Sequence, residues 1–408
     1  MIAHPQVRPS RLRYFELIVL MGALQAFAPL SIDMYLPSMP LLERVFGATT
    51  AEVQVTLITF FVGYALGQSL YGPVTDRFGR KPPLYFSLLL FLVSSALCAL
   101  APSIQALAVI RLFQALGACG GAVMSRAMVR DLFPPEDLRR IFSLLILVLG
   151  VSPLAAPLIG GYLLLWFGWK SIFWTQALLA AAALVGVYFR LPESLAPDAV
   201  RPLQARLIFS TYAQLLGDRT FLGASLVCGF SSAGMFAYIA SAPFVFINLY
   251  KVSPQTFGLL FGAIALGLII ASQVNGRMSY RVPLARVLRN ANLVQLAAGV
   301  PLLAAALTGR GGPIGVFFPV FVYMCAAGFV FPNGSTIAMM HNPKIAGTAS
   351  ALLGTNQFII AAISTTVLAV IETSSALPMA IVIAGCGLSA ALINFLTLRP
   401  ASSMGSAA

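Results

Sequence analysis

Apolar runs long enough to cross a bilayer recur along almost the whole chain, and they constrain its fold more than any other feature. They cover about 14–37, 51–72, 83–102, 105–127, 138–164, 169–190, 220–247, 255–276, 285–308, 313–339, 345–371 and 376–398. A helix needs roughly 20 apolar residues to cross the hydrocarbon core. Only 9% of the 408 residues are charged and 59% are hydrophobic, whereas soluble chains carry about a quarter charged residues. A globule of this size could not cover its surface with so few charges, so soluble, secreted and disordered classes are excluded. A transmembrane β-barrel would alternate in segments of about ten residues, and this sequence does not. The runs predict an all-α polytopic membrane protein with 12 transmembrane helices and no sizeable soluble domain. The run from Leu17 onward is long, lacks a clear cleavage site and reads as the first span, not as a signal peptide.

The formal net charge of +13 suggests nucleic acid only until the charges are placed. With the N-terminus inside, Arg44, Lys170, Lys251 and Arg310 fall outside, Arg111 falls within a span, and the other 20 of the 25 Lys and Arg residues face the cytoplasm. That asymmetry predicts both termini in the cytoplasm and no nucleic-acid partner. His341 and Lys344 are expected to face water at the inner ends of spans ten and eleven, and Glu372 to lie in an outer loop. Cys98, Cys119, Cys228, Cys325 and Cys386 all sit in apolar runs without metal-ligand spacing, so they read as packing residues.

The longest polar stretch, 191–219, divides the chain into halves of similar length. The expected organisation is a six-helix bundle over 1–190, a cytoplasmic linker over 191–219, a second six-helix bundle over 220–399 and a tail over 400–408. Gly-Pro-Val-Thr-Asp-Arg-Phe-Gly-Arg-Lys after span two is echoed by Asn-Gly-Arg-Met-Ser-Tyr-Arg after span eight. Two such halves predict bundles related by pseudo-two-fold symmetry, as in transporters that bind cargo near the bilayer midplane.

A charged side chain inside a span costs several kcal/mol and needs a reason. Asp33, in Ser-Ile-Asp-Met-Tyr-Leu-Pro, lies near the outer end of span one. It reads either as an interfacial cap or as a carboxylate in an internal cavity, available for protonation. Arg111 lies about eight residues into span four, roughly 12 Å deep, too deep to snorkel easily. The two depths agree, so the pair is expected to interact, with Gln114 on the Arg111 face. Span five carries Pro153 and Pro157, with Gly160 and Gly161 following. The prolines remove ladder donors and the glycines admit a neighbouring helix, which gives either a bent structural helix or a moving one. Tyr35, Gln114, Phe230, Met235, Phe236, Tyr238, Asn333, Asn356 and Gln357 are candidate substrate contacts, since Met and aromatic side chains suit a promiscuous apolar pocket. In Gly72-Pro-Val-Thr-Asp76-Arg77-Phe-Gly79-Arg80-Lys81, Asp76 suits a neighbouring helix N-terminus and Arg80 a carboxylate. Its basic residues fit cytoplasmic retention equally well.

That loop resembles motif A of the major facilitator superfamily, Gly-x-x-x-Asp-Arg-x-Gly-Arg-Lys. Arg111 with Gln114 and Gly117 resembles its motif B, and Ala156-Pro157-Leu-Ile-Gly160-Gly161 its motif C of drug:proton antiporters, with Ala156 and Ser152 standing where that pattern has Gly. Leu-Ser-Ile-Asp33-Met-Tyr-Leu-Pro37, Met-Val-Arg130-Asp131, Ser-Ala-Gly-Met235-Phe and Ala-Gly347-Thr-Ala-Ser350 are similar to the bicyclomycin-resistance (Bcr/CflA-type) subfamily. The resemblance implies a monomeric multi-pass exporter of the bacterial inner membrane. Its cargo would be amphipathic antibiotics of the bicyclomycin, chloramphenicol, florfenicol or sulfonamide kind, exchanged for protons. It implies proton coupling at Asp33 and Arg111. It also implies a conformational gate at Gly72, Asp76, Arg77, Gly79, Arg80, Pro153, Pro157, Gly160 and Gly161, in which Gly72, Asp76 and Arg80 latch the outward-open state. Small-molecule drugs, protons and the lipid bilayer are the expected partners. Neither a metal nor a cofactor is expected beyond the proton gradient. A nutrient or metabolite symporter or facilitator would use the same fold. An enzyme is not expected, because the chain offers two His and one confident buried acid.

Overall fold

The computed structural model describes residues 11–195, 205–278, 282–340, 345–371 and 375–398. His341, Lys344, Glu372, Arg281 and the 400–408 tail lie outside the described residues. The described residues are mostly helical, with no strand among them. Among the described residues, twelve helices are long and apolar enough to cross a membrane. Helices satisfy their backbone groups internally, which the interior of a bilayer demands.

The chain divides into two compact units, residues 1–48 with 59–205 and residues 49–58 with 206–408. The first unit contains α1 (Arg11–Asp33), α2 (Met39–Phe46), most of α3 (Thr50–Phe78), α4 (Lys81–Ala99), α5 (Ile104–Leu132), α6 (Pro135–Phe167) and α7 (Lys170–Arg190). The second contains α8 (Ala205–Gly217), α9 (Arg219–Ala242), which continues as a π-helical turn over Pro243–Leu249, α10 (Pro254–Met278), α11 (Leu284–Thr308), α12 (Gly312–Met340), α13 (Ala346–Val370) and α14 (Leu377–Thr397). The internal repeat shows in the pairings. In the first unit α4 packs on α5 and α7, and α1 on α5, α6 and α7. In the second, the equivalent α11 packs on α12 and α14, and α9 on α12, α13 and α14.

Two elements depart from the sequence expectation. Span one does not end near residue 37. A short 3-10 turn over Leu36–Ser38 leads into α2, which buries Met39 and Leu42. The stretch expected as a plain linker over 191–219 also carries α8, an amphipathic helix joined through Asp218 to α9. Asp218 caps α9 by accepting from the Thr220 amide at 2.9 Å.

Helices of both units leave large apolar side chains uncovered, among them Leu178, Phe189, Ile314 and Phe395. A soluble protein would hide such residues, but here lipid covers them. Close helix contacts take up the small residues. A Cβ on Gly160 of α6 would overlap the Met34 carbonyl oxygen just past the end of α1. The residue must be glycine for α6 to lie against the backbone that follows Asp33. Pro153 and Pro157 both lie inside α6, which runs unbroken past them.

Candidate functional site

Asp33 is the last residue of α1 and is 4% exposed. It makes no ion pair among the described residues. Arg111, in the second turn of α5, is fully buried. It does not salt-bridge Asp33, contrary to the expectation from matched depth. Its Nη1 instead donates to the Ser31 carbonyl at 3.0 Å and to Gln114 Oε1 at 2.7 Å. The guanidinium sits 4.4 Å from the Phe60 ring centre, 4.7 Å from that of Tyr35 and 6.0 Å from that of Phe173. These aromatic faces supply partial negative charge where a carboxylate is missing. Nε and Nη2 have no hydrogen-bond partner among the described residues. The backbone two residues before Asp33 therefore holds the cation, and the acid itself is left unpaired.

Gln114 ties this centre to two more helices. Its Nε2 donates to Ser95 Oγ of α4 and to Gln176 Oε1 of α7, both at 2.8 Å. Sequence reasoning missed Ser95 and Gln176, and it missed the network that the repeat places in the second unit. There Asn394 of α14 donates to Asn292 of α11 at 2.6 Å, and Gln295 donates to Ser231 Oγ of α9 at 2.7 Å. Tyr323 of α12 donates to the Ser231 carbonyl at 3.4 Å. The first network is built around a cation, and the second from neutral amides and hydroxyls. The signal that could have found them is an amide inside an apolar run.

The remaining candidates for substrate contact are scattered through the second unit. Tyr238 stacks on Phe261 with ring centres 5.7 Å apart, and Phe236 lies 5.2 Å from Phe358. Asn333 donates to Asn275 Oδ1 and to the Phe329 carbonyl, both at 2.7 Å. Asn356 donates to Ser225 Oγ at 2.9 Å. Phe230, Met235 and Gln357 are half-buried. In the first unit, Tyr35 is fully buried beside Arg111.

The turn between α3 and α4 forms a second polar centre. Arg80 donates through Nη1 to Asp76 Oδ1 at 2.7 Å and to Thr75 Oγ1 at 2.9 Å, and through Nε to Asp131 Oδ2 at 2.9 Å. Asp131, in the last turn of α5, also accepts from Ser194 Oγ at 3.1 Å. Burial pulls the Arg80 guanidinium down, but its hydrogen bonds to Asp76 and Asp131 outweigh that and raise it above its ordinary value. Asp76 thus pairs with Arg80, while a residue missed in the sequence takes the neighbouring helix N-terminus. Glu193, just past α7, accepts from the amides of Arg80 at 2.9 Å and Lys81 at 3.0 Å, at the start of α4. It also accepts from the amides of Ser194 and Leu195, at 2.9 and 3.0 Å. Gly79 has φ +85, and a Cβ there would stand 2.9 Å from Glu193 Oε2. Glycine is needed both for that backbone and for the carboxylate. Gly72 and Arg77 flank this cluster, with Arg77 exposed.

Burial alone would push the Glu193 carboxyl up, but the four backbone N–H groups outweigh it and hold the carboxyl below its ordinary value. Its contribution is therefore present above the unfolded pKa of about 4.3 and is lost as pH falls through the lower folded value. Glu193→Gln should lower the melting temperature by a few degrees at pH 7, since about 1 kcal/mol moves a unit this size by ~2–4 °C. The gap to the parent should close as pH is taken below ~4. A gap independent of pH, measured by a thermal-shift titration, would show that the carboxylate charge plays no part.

Residues 21–365 match the Major Facilitator Superfamily. The chain belongs to that superfamily. It is 36% identical over 374 residues to an uncharacterized MFS-type transporter, YdgK, of Bacillus subtilis, covering 91% of this chain and 92% of the relative. It is 31% identical over 398 residues to the bicyclomycin resistance protein homolog of Haemophilus influenzae, covering 96% and 98% of the two chains. Within the superfamily it stands with the bicyclomycin-resistance (Bcr/CflA-type) branch. A crystal structure of a D-xylose-proton symporter shares the fold, with a TM-score of 0.73 at 15% identity over 95% of this chain and 98% of that one.

Proposed function

We propose that the chain exports amphipathic antibiotics across the bacterial inner membrane in exchange for protons, by alternating access. The observation that carries this reading is Asp33, a buried carboxylate at the end of a membrane-embedded helix with no cation paired to it among the described residues. Such a group has a use if it takes up and releases a proton during the transport cycle. The name of the Haemophilus influenzae relative supports an antibiotic as cargo. The asymmetry of Lys and Arg supports cytoplasmic termini. No cofactor other than the proton gradient enters this reading, and a monomer suffices for it.

Two measurements test it. A susceptibility panel in an efflux-deficient host should show resistance to amphipathic antibiotics when the chain is expressed. In everted vesicles, adding such a drug should release protons from the lumen. A nutrient symporter on the same fold would move solute and proton in the same direction, and a facilitator would move no protons. Either result would replace the export reading.

In this reading the Asp76–Arg80–Asp131 cluster latches the outward-open state. The Asp76 side chain is 46% exposed, so its ion pair with Arg80 is screened. Losing it costs about 1 kcal/mol or less, up to a ~fivefold shift between states. Asp76→Asn leaves the Lys and Arg count unchanged, so topology should hold. Export should fall several-fold, and cysteine pairs placed at the cytoplasmic mouth should cross-link less readily. Normal export with unchanged cross-linking would reduce the loop to a topology signal.

A further inference from the structure

By charge count Arg126 of α5 belongs with the cations of the cytoplasmic side, but its side chain turns the other way. It stands six residues before Leu132, the last residue of α5, or ~9 Å from that end. An arginine kept only for topology would stretch toward that end and into water. Arg130, one turn further on, is exposed in just that way. Arg126 is instead half-buried, and its Nε donates to the carbonyl of Ala122, one turn back along the helix, at 3.1 Å. Its charge acts on Cys119, two turns back, and on Tyr64 of α3, which is 6% exposed. The guanidinium is thus aimed into the first unit, away from the aqueous end of its own helix.

A cation held there is costly and needs a reason. No acid supplies one, since Arg126 makes no ion pair among the described residues. Asp131, five residues on, is already bonded to Arg80 and Ser194. Arg80 and Arg111 spend their Nη1 groups on protein acceptors, whereas neither Nη of Arg126 has a hydrogen-bond partner among the described residues. Beside it α1 adds Gln25, 3% exposed, whose Nε2 donates to the same Ala122 carbonyl at 3.4 Å. The shared acceptor brings amide and guanidinium side by side.

We infer that Arg126, with Gln25 at its side, docks an acidic group of the cargo: a carboxylate, a sulfonate or an ionised sulfonamide. The planar fork offers parallel N–H groups to two oxygens of such an anion, and the amide adds a further donor. The phosphate of a lipid headgroup shares that chemistry. The turn of the side chain away from the end of α5 favours cargo over headgroup. The inference rests on the export reading for what the cargo is. It adds that an acidic compound is held more tightly than a neutral one built on the same scaffold.

The test uses the full-length protein in phosphatidylcholine nanodiscs, with chloramphenicol and its hemisuccinate ester as probes, one scaffold without and with a carboxylate. By calorimetry the parent should bind the ester about tenfold more tightly. Arg126→Gln should bind the two alike, and Arg126→Lys, which keeps the charge without the fork, should keep part of the preference. Gln25→Leu should weaken the ester several-fold. Thermal melting of each variant checks that it folds. A parent that holds the ester no more tightly than chloramphenicol overturns the inference, as does a preference that survives Arg126→Gln. Unchanged ester affinity in both Arg126→Lys and Gln25→Leu overturns it too, so the test does not hang on one variant. In nanodiscs with added phosphatidylglycerol the preference should persist. Its loss there would assign the fork to lipid phosphate and overturn the cargo site. Proton release driven by neutral chloramphenicol in everted vesicles reports on export separately: if it occurs while the preference is missing, this site fails and the export reading stands.

Discussion

Asp33→Asn is expected to give a folded protein in which drug no longer drives proton movement. Asp33 is 4% exposed at the end of α1, and no ion pair holds it among the described residues. Asparagine matches its size and hydrogen-bonding reach but exists in one charge state only. Fold stability should change little, because the substitution breaks no ion pair and removes a group that is costly to charge inside a membrane. The transport cycle should change most. Without a proton to bind and release, export against a gradient should fall to the background of the empty host, while downhill exchange of labelled drug persists. The measurement is proton release in everted vesicles beside counterflow in the same preparation. Undiminished drug-driven proton release by the variant would remove Asp33 from the coupling pathway. Loss of both activities with normal thermal stability would place Asp33 in drug binding instead.

The twelve spans were legible because each must present apolar side chains to lipid on most faces, a signal that survives without any knowledge of partners. The repeat was legible from loop lengths and from where charge collects. Partner choice inside the first unit was only half legible. Gln114 could be placed beside Arg111 by helical spacing, and the 2.7 Å bond follows from it. Asp33 was matched to Arg111 by depth alone. Depth fixes a position along the membrane normal and leaves the direction around the helix open, and the guanidinium turns to the Ser31 carbonyl instead. Glu193 had no local signature, since its bond to the Arg80 amide joins residues 113 apart in sequence. The helix α8 escaped because its apolar period is short and lies in the most polar stretch of the chain. The amides Gln176, Asn292, Gln295 and Asn394 stood in plain view within apolar runs. Each is satisfied by another polar residue on a different helix, which no single run displays.

Arg111 gives the sharpest separation between a residue kept for folding and one kept for function. Desolvating an unpaired cation costs several kcal/mol even after relaxation. Two hydrogen bonds and the aromatic faces of Tyr35, Phe60 and Phe173 offset only part of this. Methionine fills a similar volume, bends to irregular space and makes favourable contacts with aromatic rings. Arg111→Met leaves Gln114 Oε1 and the Ser31 carbonyl without that donor, at about 1–3 kcal/mol each, and removes the desolvation cost of the charge. The terms are of similar size and opposite sign, so the variant should be as stable as the parent or more so. Export should nevertheless fall to background, because the cation held on the backbone two residues before Asp33 is lost. Arg111→Lys keeps the charge, but one ammonium cannot reproduce the fork that meets Ser31 and Gln114 together, so partial activity is expected. Thermal stability and vesicle transport, measured on the same preparations, decide the matter. If Arg111→Met loses stability and transport in proportion, the guanidinium is a structural tie between α1 and α5. If it transports like the parent, Arg111 has no part in coupling.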